Sequence, residues 1–311
     1  MRNVKSVTKK SANFYYLNHA LVSIYAPFGV EILESFQAYQ KYPWAKQYFN
    51  QIPKEGYFIW VKKQQSNPLS TCVAISQSKI NQQLQNLLII EKGLTIESFV
   101  SCSALANGLC ANHYAQGKII LKEGASLIYK HLHSWGEHDY VEPDYEFILE
   151  KGAKLNYLYQ LLNPPKELNF KTKIILKEKA SANINVGIRS KNTAVNLEEE
   201  MDLLGKNSQG AVYLRLVADK NAQIKAVNKL VAQAEGKGHL DCRGIILDHH
   251  SSIELVPALI NRNKESILTH EASIGKINQE EINYLRSRGL TQKEAVNLIV
   301  NGFLKITNDK E

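Results

Sequence analysis

Cys242 and His270 lie 28 residues apart in "LDCRGIILDHHSSIELVPALINRNKESILTHEASIGK", a stretch of mostly strand-like character. A thiolate and an imidazole brought to one place could share a metal ion or bind one edge of an iron–sulfur cluster. No short metal-binding spacing accompanies them. Glu271 follows His270 directly, and because consecutive strand residues point to opposite faces it joins such a site only if the strand ends or bulges there. The plainer reading is a small buried cysteine in an apolar run and a histidine satisfied by hydrogen bonds. His239, His249 and His250 are near in sequence, but "DHHSS" reads as a solvated corner.

A second group, "HLHSWGEHDYVEPDY", holds His131, His133, Trp135, Glu137, His138 and Asp139. On a strand His131, His133 and Trp135 share one face, and two imidazoles with a carboxylate would suit zinc. The segment lacks the fixed helical H-E-x-x-H geometry, so a polar corner or an interface is the competing reading.

What must position these residues is legible from residue 80 onward, where one phrase recurs: "LLIIEKGLTIESF", "KIILKEGASLIYK", "EFILEKGAKLNYL", "KIILKEKASANIN", "DLLGKNSQGAVYL" and "GIILDHHSSIELV". Each is a β-rich run, a polar or glycine-containing turn, and a second alternating run. The turn residues Gly93, Gly124, Gly152, Lys179, Asn207 and His250 are spaced by 31, 28, 27, 28 and 43 residues, with a further half-phrase at "ADKNAQIKA" inside the last interval. A strand-only unit of this length cannot cover its own apolar side, so units must stack into a solenoid. The expected fold is mainly β, a right-handed parallel β-helix; a β-sandwich is the alternative that short strands and turns also allow. If a coil takes about 28 residues, Cys242 and His270 become vertical neighbours on adjacent strands, roughly 4.8 Å apart.

Upstream, "VEILESFQAYQKYPWAKQYF" carries Val30, Ile32, Leu33, Phe36 and Tyr39 at helical spacing, with Pro43 as a break. Residues 1–79 are therefore expected to form a mixed helix and strand cap, 80–277 the β-helix core and 278–311 a helical segment. In the last, Asn278 with Glu281 and Thr291 with Glu294 have capping-box spacing, and Gly289 offers a left-handed stop. Ala295, Leu298, Ile299, Gly302, Phe303 and Ile306 form one apolar stripe. That stripe would close the last coil, dock another protein, or do both with different faces.

The 311 residues, 44% hydrophobic and 22% charged, suit an ordinary globular chain with a substantial core, and no run reaches eighteen apolar residues. Asn18 and His19 interrupt the would-be apolar core of the basic N-terminus "MRNVKSVTKKSANFYYLNHALVSIYAPFGV", which leaves a cytoplasmic location as the expectation. Cys72, Cys102, Cys110 and Cys242 show no C-x-x-C pairing, which fits a reducing compartment. The net charge of +8 comes from scattered lysines without aromatic interleaving, so nucleic acid is not an expected partner, nor is a membrane. A G-x-x-x-x-G-K-[ST] phosphate loop is absent, so ATP hydrolysis by this chain is not expected.

The segments "GHLDCRGIILD", "SSIELVPAL", "THEASIGKI" and "EEINYLRSRGLTQKEAVNLIVNGFL" resemble the C-terminal core of the SufB/SufD family of iron–sulfur cluster assembly scaffolds, densely over 238–304. "LQNLLIIEKG" and "LHSWGEHDYVEPDY" extend a weaker likeness back to about residue 80. The chain looks like a compact SufB-like form. The resemblance implies a right-handed parallel β-helix, C-terminal helices that bind the ABC-type ATPase SufC, and a homodimer through the β-helix with a transient cluster at its interface. It also implies that the chain is a scaffold and not an enzyme, served by a sulfur donor and unloading to apo-protein acceptors. Carried over by position, Cys242, His270 and Glu271 are the implied cluster ligands. The chain departs from the longer SufB type in having no cysteine between Cys110 and Cys242, and in placing Thr269 where a further carboxylate is frequent. The sulfur would then reach Cys242 directly or come from another protein. A SufD-like structural subunit without cluster nucleation is one alternative, disfavoured by the presence of Cys242 and Glu271. A carbohydrate-active β-helix enzyme is another, disfavoured by the scarcity of paired carboxylates in the repeats.

Overall fold

A computed structural model describes residues 11–305. The chain begins with β1 (Asn13–Leu17), β2 (Ala20–Tyr25) and β3 (Val30–Glu34), a short helix α1 (Ser35–Lys41) and a 3-10 turn at Pro43–Tyr48. Sixteen further strands follow: β4 (Tyr57–Val61), β5 (Leu69–Ile75), β6 (Asn81–Ile90), β7 (Thr95–Ala104), β8 (Asn112–Leu121), β9 (Ser126–Ser134), β10 (Tyr140–Leu149), β11 (Lys154–Asn163), β12 (Glu167–Leu176), β13 (Ser181–Lys191), β14 (Ala194–Leu203), β15 (Ser208–Asp219), β16 (Gln223–Ala232), β17 (Gly236–Ile246), β18 (Ser252–Asn261) and β19 (Ile267–Gly275). Two helices close the described chain, α2 (Gln279–Ser287) and α3 (Gln292–Leu304).

From β4 onward successive strands alternate between two sheets and every pairing within a sheet is parallel, so the chain winds as a β-solenoid of about eight turns. One sheet runs β19-β17-β15-β13-β11-β9-β7-β5-β1-β2 and the other β18-β16-β14-β12-β10-β8-β6-β4-β3. Alternate residues of both sheets meet in one continuous core from Ala12 to Ile253. Parallel stacking thus reaches upstream of residue 80, to β4 and β5.

The corner residues explain the repeat. Gly93, Gly124, Gly152, Lys179 and Asn207 all adopt positive φ, between +58° and +72°. Each also donates its backbone N–H to a carbonyl of the next coil's corner, through Glu123, Lys151, Glu178, Lys206 and Glu235. His250 does not belong to this column. It sits at the opposite corner, between β17 and β18, where Asp248 accepts the backbone N–H groups of His250 and Ser251 and the Ser251 hydroxyl. These bonds, the Ser251 hydroxyl first, hold the Asp248 carboxyl down to about 2. The interval of 43 was one coil plus half of the next.

Other expectations at the two ends need correction. Val30 and Ile32 are inward residues of a strand, β3, and the helix starts only at Ser35. Asn278 caps α2 by accepting from the Glu280 N–H, with Glu281 taking no reciprocal part; at α3 the Thr291/Glu294 box forms in full. Gly289 has φ +96° as the stop. The apolar stripe of α3 is rotated from the expected one: Ala295 and Val300 are buried while Leu298 is 53% exposed, and Ile306 lies outside the described residues. Above all, α3 does not close the last coil. It packs on the outer face of β13 and β15, where Arg189 donates to Asn297 at 3.0 Å and Gly187, lacking a Cβ, lets the Leu304 carbonyl come close.

The last coil therefore stays open. On β18 and β19 Ile253, Leu255, Leu268 and His270 still continue the core columns at least half-buried, but the next inward positions, Pro257, Leu259, Ala272 and Ile274, are exposed. Residues 1–10, the basic start of the chain, lie outside the described residues. Among the described residues no helix is long and apolar enough to cross a membrane.

Candidate functional site

Cys242 projects into the solenoid from β17, between Leu240 and Gly244 on the same face, and is fully buried. Its column runs through Leu214 on β15, and on the other side only Ala272 of the edge strand β19 stands over it. Across the core, Asn228 on β16 receives the Cys242 thiol at its Oδ1 (3.9 Å) and donates from Nδ2 to Glu199 on β14 (2.6 Å). Burial lifts the Glu199 carboxyl to about 8, only partly offset by the Asn228 bond, so it is a neutral acid at pH 7. Burial likewise pushes the Cys242 thiol up to about 12, with Glu199 and then Asp241 adding to the rise and Arg215 opposing it. In this state the thiol is protonated and poorly nucleophilic; a metal ion or a cationic partner would be needed to draw out the thiolate.

His270 is not the vertical neighbour of Cys242. The β17–β19 pairing sets Leu240 against His270 and Cys242 against Ala272, a stagger of 30 residues and not 28. Thiol and imidazole do share the inward face, one step apart along the strand, as diagonal neighbours. His270 is half-buried, and among the described residues its Nε2 is buried without a hydrogen-bond partner.

Glu271 faces the other way. The pairing runs from Lys237↔Ile267 to Ile245↔Gly275 without a register shift, so no bulge turns Glu271 inward. Its carboxylate, 66% exposed, joins an outer cluster through Arg243 (3.5 Å), which also pairs with Asp241 (2.8 Å). Asp241 in turn is held bidentately by Arg215, at 3.1 and 2.8 Å. These pairings outweigh burial and hold the Asp241 carboxyl below its ordinary range. Thr269 meets His239 at 2.8 Å on the same outer face.

Further up the solenoid, His131 and His133 do converge, but with Cys102 and not with a carboxylate. Cys102 on β7 pairs directly with His133 on β9, and all three side chains are buried. The two Nε2 atoms are 2.9 Å apart and Cys102 Sγ is 3.7 Å from His131 Nε2. Asp139 is committed elsewhere, accepting the Ala111 and Gly136 N–H groups, and His138 is exposed near Glu137. Cys102, Glu199 and Asn228 were all missed in the sequence, although a signal for Cys102 existed: it precedes His133 by 31 residues, the same interval that separates Gly93 from Gly124. Glu199 hid in the run "EEE", where only strand parity with Leu197 and Met201 marks it as inward.

Comparison with known proteins agrees with this architecture. Residues 73–303 match the family model "SUF system FeS cluster assembly, SufBD core domain". An iron–sulfur cluster assembly SufBD family protein of Archaeoglobus fulgidus is 31% identical over 297 residues, 89% of this chain and 80% of its own length. A SufBD family protein of Methanothermobacter thermautotrophicus is 31% identical over 81% of this chain and 62% of its own length. The iron-sulfur cluster assembly protein SufB of Bacillus subtilis is 22% identical, and there the match covers 80% of this chain but 55% of the relative. With its parallel solenoid and its matching core sequence, this chain belongs to the SufBD family of iron–sulfur cluster assembly proteins.

Proposed function

We propose that this chain is a cluster-building scaffold of the SUF system, working as a homodimer in the cytoplasm with an ABC-type ATPase of the SufC kind. The observation that supports this most is the placement of Cys242 one strand behind the exposed edge, with a single alanine between it and the open end. An uncovered parallel edge with exposed Leu259 and Ile274 invites pairing with another chain, and a twofold contact there would set two copies of Cys242 and His270 close to the seam. A nascent cluster, as cargo, would take one thiolate and one imidazole from each copy, while Glu271 stays on the outer face beside Arg243. So few thiolates would hold it loosely enough to surrender it to acceptor proteins. Because Cys242 is buried within its own chain and protonated, the last coil must open before sulfur and iron can enter, and the ATPase would drive that opening from α2 and α3. Tyr284 and Leu298, 59% and 53% exposed, offer that partner an apolar foothold. Hydrolysis of ATP belongs in this reading to the partner.

The orientation of Glu271 away from Cys242 favours a second reading, a SufD-like subunit that binds the ATPase without nucleating a cluster. Anaerobic reconstitution with iron and sulfide separates the two. The scaffold reading expects visible charge-transfer absorption that Cys242→Ser abolishes while ATPase binding persists. Equal cluster yield from the variant would reject the role of Cys242.

A further inference from the structure

We propose that Cys102, His131 and His133 form a second, independent metal site inside the solenoid, taking one zinc-like transition-metal dication (Zn²⁺ or Fe²⁺). Among the described residues this is the one group of three or more potential ligands whose donor atoms all lie within 4.8 Å of one another. The donor set is one thiol and two imidazoles, which selects borderline and soft cations and excludes calcium and magnesium, since those need oxygen ligands.

The spacing matches the ion. With Zn–N near 2.0–2.1 Å and Zn–S near 2.3 Å, a tetrahedral centre separates two imidazole nitrogens by about 3.3 Å and a nitrogen from a sulfur by about 3.6 Å. The structure has 2.9 Å between the two Nε2 atoms and 3.7 Å from Cys102 Sγ to His131 Nε2. Opening the nitrogen pair by a few tenths of an ångström brings it to the tetrahedral value, and the remaining pair, Cys102 Sγ and His133 Nε2, lies within 4.8 Å.

The surroundings hold the ligands as metal-site partners do. His131 Nδ1 is bonded by the Tyr157 hydroxyl at 3.3 Å and His133 Nδ1 by the Tyr159 hydroxyl at 3.1 Å. Both rings are thereby turned so that the remaining nitrogen, Nε2, is the one offered to the centre. A hydroxyl can accept from Nδ1–H as readily as donate to it, so each ring can take the tautomer that ligation needs. Next to the group, His113 packs on Trp135 at a tilt of 38° with ring centroids 4.7 Å apart, and among the described residues its Nε2 has no hydrogen-bond partner. On binding, the Cys102 thiol loses its proton to solvent and the sulfur–metal bond forms. The chain then supplies three ligands and leaves a fourth position for a small ligand such as water. Complete burial means that the ion enters as the coils close and stays as part of the folded core.

This site does not depend on the role proposed for Cys242, and the test keeps the two apart. The full chain is produced in cobalt-supplemented medium, so that Co²⁺ is present during folding, and purified anaerobically. Expected are on the order of one cobalt per chain, a thiolate-to-cobalt charge-transfer band, intensified ligand-field bands, and an X-ray absorption shell of one sulfur, two imidazole nitrogens and one further light atom. The band should persist in Cys242→Ser and Cys110→Ser, vanish in Cys102→Ser and change its ligand-field pattern in His133→Gln. Should the core variants not fold, the Cys242→Ser spectrum and the ligand shell of the unmodified chain decide. Cobalt-free protein, a shell without sulfur, or a band lost with Cys242 and kept without Cys102 overturns the assignment.

Discussion

Replacing Glu199 by glutamine should remove a pH dependence of stability that the buried carboxyl creates. The folded-state value of about 8 stands against an ordinary 4.5. Between those values the folded chain keeps a proton that the unfolded chain has released, so raising the pH works against folding throughout that window and no further above it. At 1.36 kcal/mol per unit, the 2.5 units up to pH 7 amount to about 3 kcal/mol. The substituted amide would keep an acceptor for Asn228 and carry no ionisable proton, so the variant's stability should be flat with respect to this group. Urea unfolding followed by circular dichroism at pH 5 and pH 7 reads the difference. Relative to the unmodified chain, Glu199→Gln should gain about 2.5 kcal/mol on going from pH 5 to pH 7. Parallel pH profiles for the two proteins would refute the claim that this carboxyl is protonated in the core.

Arg215→Met leaves Asp241 with Arg243 alone and should cost about 2 kcal/mol at pH 7; because the Asp241 carboxyl is held low, the penalty should shrink as acid protonates it, checked by urea midpoints at pH 7 and pH 3. Gly117→Ala drives a methyl group into the Tyr145 ring and should lower stability by roughly 1–3 kcal/mol in thermal unfolding. Lys179→Gly relieves a non-glycine residue at φ +58° and should raise the melting temperature slightly, a gain of about 0.5 kcal/mol net of chain entropy. Leu298→Asp should abolish ATPase-subunit binding in a pull-down or calorimetric titration while leaving the circular dichroism spectrum unchanged.

The solenoid was legible because its corners are chemically marked. Glycine, asparagine and lysine recur where left-handed backbone is required, and stacked parallel strands force that recurrence. The register of the last coil was not legible. The corners at 247–251 and 262–266 are five residues long, whereas those at 220–222 and 233–235 are three, and loop length is free to drift where side chains face solvent. That drift turned Cys242 and His270 from vertical into diagonal neighbours. The orientation of Glu271 followed from strand parity alone, since β19 runs on through Gly275 without a bulge. The seat of α3 escaped because its helix is apolar on more than one side, and the contacts that fix it, at Gly187 and Arg189, lie about a hundred residues away in sequence. His131 and His133 stood out in sequence, but their third companion came from the preceding coil.

The anchoring of α3 on β13 and β15 has a mechanical consequence. Force applied to the helices would enter the rod two to three strands short of its end, and not at the rungs that carry Cys242 and His270. At about 4.8 Å per rung, those rungs form an overhang of roughly 10–14 Å, bolted at one side and free at the other. Load applied to the helices would reach those rungs only through the β15–β17 and β17–β19 ladders, so the overhang follows the barrel as its passive tip.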